Sequence, residues 1–139
     1  MSDTALQRYL PLAGRILLAL IFIIAGLRKI TGFAGTAAYM AGKGLPMVEL
    51  LLVATIVIEL VGGLMLALGW RARLAALALF AFTAVVTPIF HGFWAFPPEQ
   101  VQAQLNNFLK NLAIMGGMLY VVAFGAGPMS VDARRPGRA

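Results

Sequence analysis

The chain has 139 residues, 61% of them hydrophobic and only 12% charged, with a mean hydropathy of +0.89 and a net charge of +6. Water-soluble domains carry about 45–50% apolar and about 25% charged residues, so this balance excludes an ordinary soluble domain and points to a bilayer. The absence of cysteine excludes disulfides, thiol redox chemistry and thiolate metal sites. The basic residues flank apolar runs instead of forming a patch, which favours a membrane lipid environment over nucleic acid.

The first apolar segment runs from Leu10 to Leu27, close to the roughly 17–25 residues a membrane-spanning helix needs. Arg8 and the small residues of "IIAG" invite comparison with a signal peptide. The long run, its Arg28-Lys29 end and the lack of a small-x-small cleavage site favour a retained span. Arg15, Ala19, Phe22, Gly26 and Lys29 recur at helical spacing, so they share one stripe. The connection Thr31–Pro46 predicts a short interfacial helix around Phe33–Ala41, closed by Gly42 or Gly44.

The second segment, Val48–Leu68, holds a carboxylate near its middle: "VATIVIELVGGLML" contains Glu59. Thr55, Glu59, Gly62 and Gly63 lie on one face, and Glu49 stands at the outer end. "GWRAR" (Gly69–Arg73) is a tight turn that makes the second and third spans antiparallel neighbours. The third segment, Leu74–Phe90, repeats Thr83, Thr87 and His91 every fourth residue, with Pro88 able to bend it. "HGFWAFPP" supplies aromatic side chains for the headgroup level, and Pro97-Pro98-Glu99 marks a helix start. The fourth segment, Phe108–Phe124, carries Asn107, Lys110, Asn111, Ile114 and Gly117 on one side. The Gly-, Pro- and Arg-rich tail from Gly125 is expected to be loosely ordered.

The expected fold is all-α: one integral-membrane four-helix bundle over residues 1–139, with a short interfacial helix between the first two spans. Continuous rather than alternating runs exclude strands. Four spans put both termini and the second connection on one side. That side holds Arg8, Arg71, Arg73, Arg134, Arg135 and Arg138, against Arg28, Lys29 and Lys43 on the other. The bias predicts cytoplasmic N and C termini.

A charge at mid-membrane costs about 2.5–3.5 kcal/mol on insertion scales, so such residues normally face the bundle interior and pair. At ~1.5 Å rise per residue, Glu59 falls within roughly 2 Å of the bilayer centre and Arg15 roughly 7 Å toward the inner face. Lys110 and Asn111 fall roughly 8–9 Å, and Lys29, Glu49, Asn107 and His91 roughly 13–15 Å, toward the outer face. These depths predict an Arg15–Glu59 pair and a second, outward cluster of Lys29, Glu49, His91 and Lys110. Each residue also has a plainer reading. Arg15 and Lys29 would snorkel to headgroups, His91 would hydrogen-bond at the interface, and Thr83 and Thr87 would bond back to helix carbonyls. A lone histidine with no nearby second ligand makes no metal site.

The ordered pieces "RILLALIFIIAGLRKI" (Arg15–Ile30), "GKGLP" (Gly42–Pro46), "IELVGGLMLALG" (Ile58–Gly69), "FHGFW" (Phe90–Trp94) and "NFLKNLAIMGGMLYVVAFGAGPMSVD" (Asn107–Asp132) span nearly the whole chain. In this order and spacing the sequence resembles the DoxX family of small bacterial and archaeal membrane proteins. The resemblance implies a four-helix bundle in a bacterial inner membrane. It also implies a family tied in part to redox membrane complexes, including the membrane subunits of thiosulfate:quinone oxidoreductase. The polar positions it carries over are Arg15, Lys29, Glu59, His91, Asn107, Lys110 and Asn111. Thiosulfate chemistry is not carried over, because it needs a partner or a redox centre.

Three functions then compete. The first is the membrane subunit of an oxidoreductase that holds a quinone. His91 and Lys110 would bond its carbonyls, Glu59 and Arg15 would handle the proton, Phe22, Phe93 and Trp94 would pack on the ring, and a redox partner protein would supply electrons. The second is a small proton- or solute-transport unit, which as a four-helix chain would gain from homo-oligomer formation. The third is a structural or assembly protein. No nucleophile–base pair, metal set or phosphate loop marks a self-contained enzyme.

Overall fold

The computed structural model describes residues 4–134. Arg135 and Arg138, counted above on the inner side, lie outside them. Helix α1 spans Ala5–Thr31, α2 Phe33–Gly42, α3 Val48–Leu68, α4 Ala72–His91 and α5 Pro98–Phe124. Short 3-10 turns follow at Phe93–Ala95 and Asp132–Arg134. Helices α1, α3, α4 and α5 are each long and apolar enough to cross a membrane, and α2 is the expected short helix between the first two spans.

Helix α1 begins five residues before the apolar run, because Thr4 and Gln7 form a reciprocal cap. The Gln7 amide donates to Thr4 Oγ1 (3.3 Å), and the Thr4 amide donates to Gln7 Oε1 (3.0 Å). At the other end of the bundle, α5 starts at the Pro97-Pro98 step as its sequence predicts.

The helices form an open row in the order α1, α3, α4, α5, with the outermost pair, α1 and α5, touching only sparsely. The lipid-facing surface is apolar: Leu17, Leu50, Val85 and Phe124 are 61–77% exposed. The buried faces are the predicted stripes. On α1 they are Arg15, Ala19, Phe22 and Gly26; on α3 they include Glu59, Gly62 and Gly63; on α4 they include Thr83 and Thr87.

Glycine fixes the register of α1 against α3. A methyl group on Gly63 would stand 2.8 Å from Ile23 Cγ1, and one on Gly26 would stand 2.7 Å from Leu60 Cγ. Both substitutions would force apart two helices that the small residues let approach closely. This register places Glu59 level with Gly26, one turn from Lys29 and about three turns from Arg15.

The tail after Gly125 is not loose through residue 134, contrary to expectation. It folds back under the end of the bundle that holds the α3–α4 turn. Val131 and Asp132 amides donate to the Leu68 and Gly69 carbonyls at 3.2 and 2.9 Å. The Asp132 carboxylate accepts from the Arg71 and Ala72 amides at 2.7 and 2.9 Å, so it caps the N-terminus of α4 from the far end of the chain. Gly69 closes α3 at φ +67°, and a Cβ there would stand 2.4 Å from Ser130 Cβ, so both the turn and the tail packing require glycine.

Candidate functional site

The expected Arg15–Glu59 pair does not form. Lys29 Nζ donates to both Glu59 oxygens, at 3.0 and 2.9 Å. Equal-midpoint alignment of the spans misplaced the pair: close glycine packing, not hydropathy, sets the axial offset of α1 on α3. Arg15 instead serves the tail. Its guanidinium donates to the carbonyls of Ala67 (3.3 Å), Ala126 and Met129 (2.9 Å). Carbonyls freed at the end of α3 and in the returning tail thus meet a buried cation.

Toward the α2 end of the core, a cavity of about 310 Å³ opens among α1, α2, α3, α4 and α5. Lys29 from α1, Thr55 and Glu59 from α3, Thr83 and His91 from α4, and Lys110 and Asn111 from α5 line it. Phe22, Phe82, Phe90 and Ile114 supply apolar walls, and Thr36, Tyr39 and Met40 of α2 close the outer side. Tyr39 stacks on Phe90 at 5.8 Å between centroids, tying α2 to α4. Lys43 lies over the Phe96 ring at 4.4 Å and fastens the end of α2 to the following connection.

Supporting hydrogen bonds fix the polar wall. Thr83 and Thr87 hydroxyls donate to Leu79 and Thr83 carbonyls at 2.7 and 2.6 Å, the helix back-bonding the sequence allows. Thr87 Oγ1 also accepts from Asn111 Nδ2 (3.0 Å), so it joins α4 to α5 from behind the chamber. His91 Nδ1 lies 2.8 Å from Gln104 Oε1. In the tautomer that donates Nδ1–H to Gln104, Nε2 is left as a proton acceptor. Gln104 was missed in the sequence because it falls outside the apolar run, although it lies on the α5 extension that the proline step predicted.

Several expected site residues lie elsewhere. Arg15 is inward of the chamber. Glu49 is exposed in the first turn of α3 and does not join Lys29, His91 and Lys110. Asn107 stands behind Lys110 and accepts from its Nζ at 3.3 Å. Phe93 and Trp94 pack edge-on with Phe108 beside the outer connection, and neither lines the chamber. The ring-sized aromatic surface inside comes instead from Phe22, Phe82 and Phe90.

The chamber is one-sided. Ala19, Leu66, Ala76, Leu79 and Met118 are fully buried, each lying along its helix between the chamber residues and the Arg15 end. They form a buried apolar layer contributed by all four spans. Among the described residues no group of three or more His, Cys, Asp or Glu side chains could hold a metal ion.

Four apolar spans around a polar chamber define a multi-pass helical membrane protein with a preformed recess. The chain belongs to the DoxX family, whose model matches residues 10–92, that is, the first three spans. It is 35% identical over 130 residues to the inner membrane protein YphA of Escherichia coli, covering 94% of this chain and 93% of that protein. It is 41% identical over 121 residues to the inner membrane protein YqjF of the same organism, covering 87% and 88%. It is also 29% identical to a Surfeit locus protein 4 homolog of Schizosaccharomyces pombe, over 96% of this chain but 40% of that longer protein. No solved structure matches. The protein is therefore a multi-pass DoxX-family protein of the inner membrane.

Proposed function

We propose that this protein is a membrane subunit that holds a quinone-type headgroup in the outward chamber, with electrons supplied by a redox partner. The observation that carries the reading is that aromatic walls and polar side chains from neighbouring helices line one chamber. Phe22 and Phe82 offer faces to a ring, while Lys110 and Asn111 on α5 and His91 on α4 line the same space. A cavity of about 310 Å³ suits one headgroup and leaves an isoprenoid tail to the bilayer. The thin α1–α5 seam offers that tail a lateral way out.

The residues divide the work. Lys110 donates to a carbonyl oxygen. His91, its ring held through Nδ1 by Gln104, passes a proton through Nε2 to a carbonyl oxygen as the partner's electrons reduce the quinone to the quinol. The Lys29–Glu59 pair places fixed charge beside the ring without exposing it to lipid. The buried apolar layer beneath the chamber favours binding over conduction, because a proton or solute path would need polar groups to continue inward.

The test is equilibrium binding of a short-chain quinone to the protein in nanodiscs, corrected for uptake by empty discs. Wild type is expected to bind one equivalent. Ile114→Trp, which fills the chamber wall, is expected to abolish binding while the protein stays folded by circular dichroism. Unchanged binding in Ile114→Trp would place the quinone elsewhere and sink the reading.

We further propose that both termini face the cytoplasm, on the support of Arg8, Arg71, Arg73 and Arg134 at the inner end. Single cysteines at residues 4 and 43 of this cysteine-free chain test it. A membrane-impermeant maleimide applied to spheroplasts is expected to label only position 43, and labelling of position 4 alone would reverse the orientation.

A further inference from the structure

The chamber's charges do not balance. Lys29 is committed to Glu59 through both carboxylate oxygens, and this is the one ion pair among the described residues. Lys110 also lines the chamber, yet its ammonium meets only the neutral side-chain oxygen of Asn107 at 3.3 Å. The other described acids lie outside the lining. Asp132 caps α4 at the inner end, Glu49 starts α3 and Glu99 starts α5. Histidine in its neutral form adds no negative charge. Lys110 is exposed at the edge of the chamber, and the lining therefore carries one cation more than it carries anions.

Position sharpens the point. Lys110 sits on the same face of α5 as Asn111 and Ile114, both chamber-lining. A lysine that served only to reach headgroups would gain nothing from a face shared with the chamber wall.

We propose that the chamber selects its ligand in an anionic form: a membrane-partitioning weak acid, such as a ring-hydroxylated quinone, whose ionised oxygen is met by Lys110 while its ring lies against Phe22 and Phe82. This rests on the reading of the chamber as a quinone-type site and narrows it to a charge state.

The experiment compares two ligands with one skeleton: a naphthoquinone, and the same naphthoquinone bearing an acidic ring hydroxyl that is ionised at neutral pH. Each is titrated into the protein in nanodiscs of zwitterionic lipid, against empty discs, for wild type and Lys110→Gln. A charge-assisted hydrogen bond predicts about tenfold or more tighter binding of the ionised ligand by wild type, and a ratio near one in Lys110→Gln. Equal affinities in wild type, both abolished by Ile114→Trp, would overturn the charge selection and leave the quinone reading standing. A preference that survives in Lys110→Gln would overturn the role of Lys110. Failure of both ligands to bind wild type would overturn both readings together.

Discussion

Lys29→Met is expected to destabilise the protein by about 3–5 kcal/mol, because it strands a buried carboxylate on the neighbouring helix. Glu59 is 4% exposed, and its two oxygens accept from no group but Lys29 among the described residues. Glu59→Leu alone should cost less, since the Lys29 ammonium is partly exposed and can reach outward to water or headgroups. The double variant Lys29→Met/Glu59→Leu should regain most of the loss, as apolar groups replacing both partners leave nothing unsatisfied. Thermal unfolding of the four proteins in one detergent gives the coupling directly. Additive losses would mean that the two side chains do not depend on each other. A second cycle with Arg15→Met decides between Lys29 and Arg15 as the partner, because Arg15→Met should show no coupling to Glu59→Leu.

Arg15→Met is expected to be at least as damaging, by about 3 kcal/mol or more, for a different reason. Its guanidinium holds the Ala67, Ala126 and Met129 carbonyls, and hydrogen bonds from a charged donor contribute about 1.5–3 kcal/mol each. Losing them unties the tail, and with it the Asp132 carboxylate that caps α4. Limited proteolysis distinguishes this from general unfolding: cleavage between residues 125 and 134 should rise well before the spans open. Quinone binding in the outer chamber should persist in whatever fraction remains folded, since the buried apolar layer separates the two sites. A variant that kept its tail protected would contradict this assignment.

The spans were legible as continuous apolar runs, and their buried faces from polar, small and aromatic residues that recur at helical spacing. Arg15, Ala19, Phe22 and Gly26 recur at helical spacing, and these are the residues that α1 buries. Phe33–Gly42 was legible from its glycine stop, and the start of α5 from its prolines. The pairing of the charges was not. Depth taken from segment midpoints assumes that every helix is centred alike. Here Gly63 seats Ile23 and Gly26 seats Leu60, which slides α1 until Lys29 and not Arg15 stands beside Glu59. The signal was present in the glycines, but reading it requires knowing which helices touch. The ordered tail was hidden for a related reason. Its glycines and proline read as looseness, while the groups that hold it, Arg15 and the amides of Arg71 and Ala72, lie more than fifty residues away. Phe93 and Trp94 were drawn into the site by their proximity to His91 in sequence, but the turn at Gly92 carries them onto Phe108 instead.

The central claim is that the outward chamber holds a quinone-type molecule. Its most direct test is purification from native membrane in a mild detergent, followed by mass spectrometry of the extracted small molecules and of co-purifying proteins, with Ile114→Trp prepared in parallel. The account predicts a near-stoichiometric quinone in wild type that is absent from Ile114→Trp, together with an oxidoreductase partner. Wild-type protein that carries no quinone above the Ile114→Trp level, and takes none up when it is supplied, would contradict it.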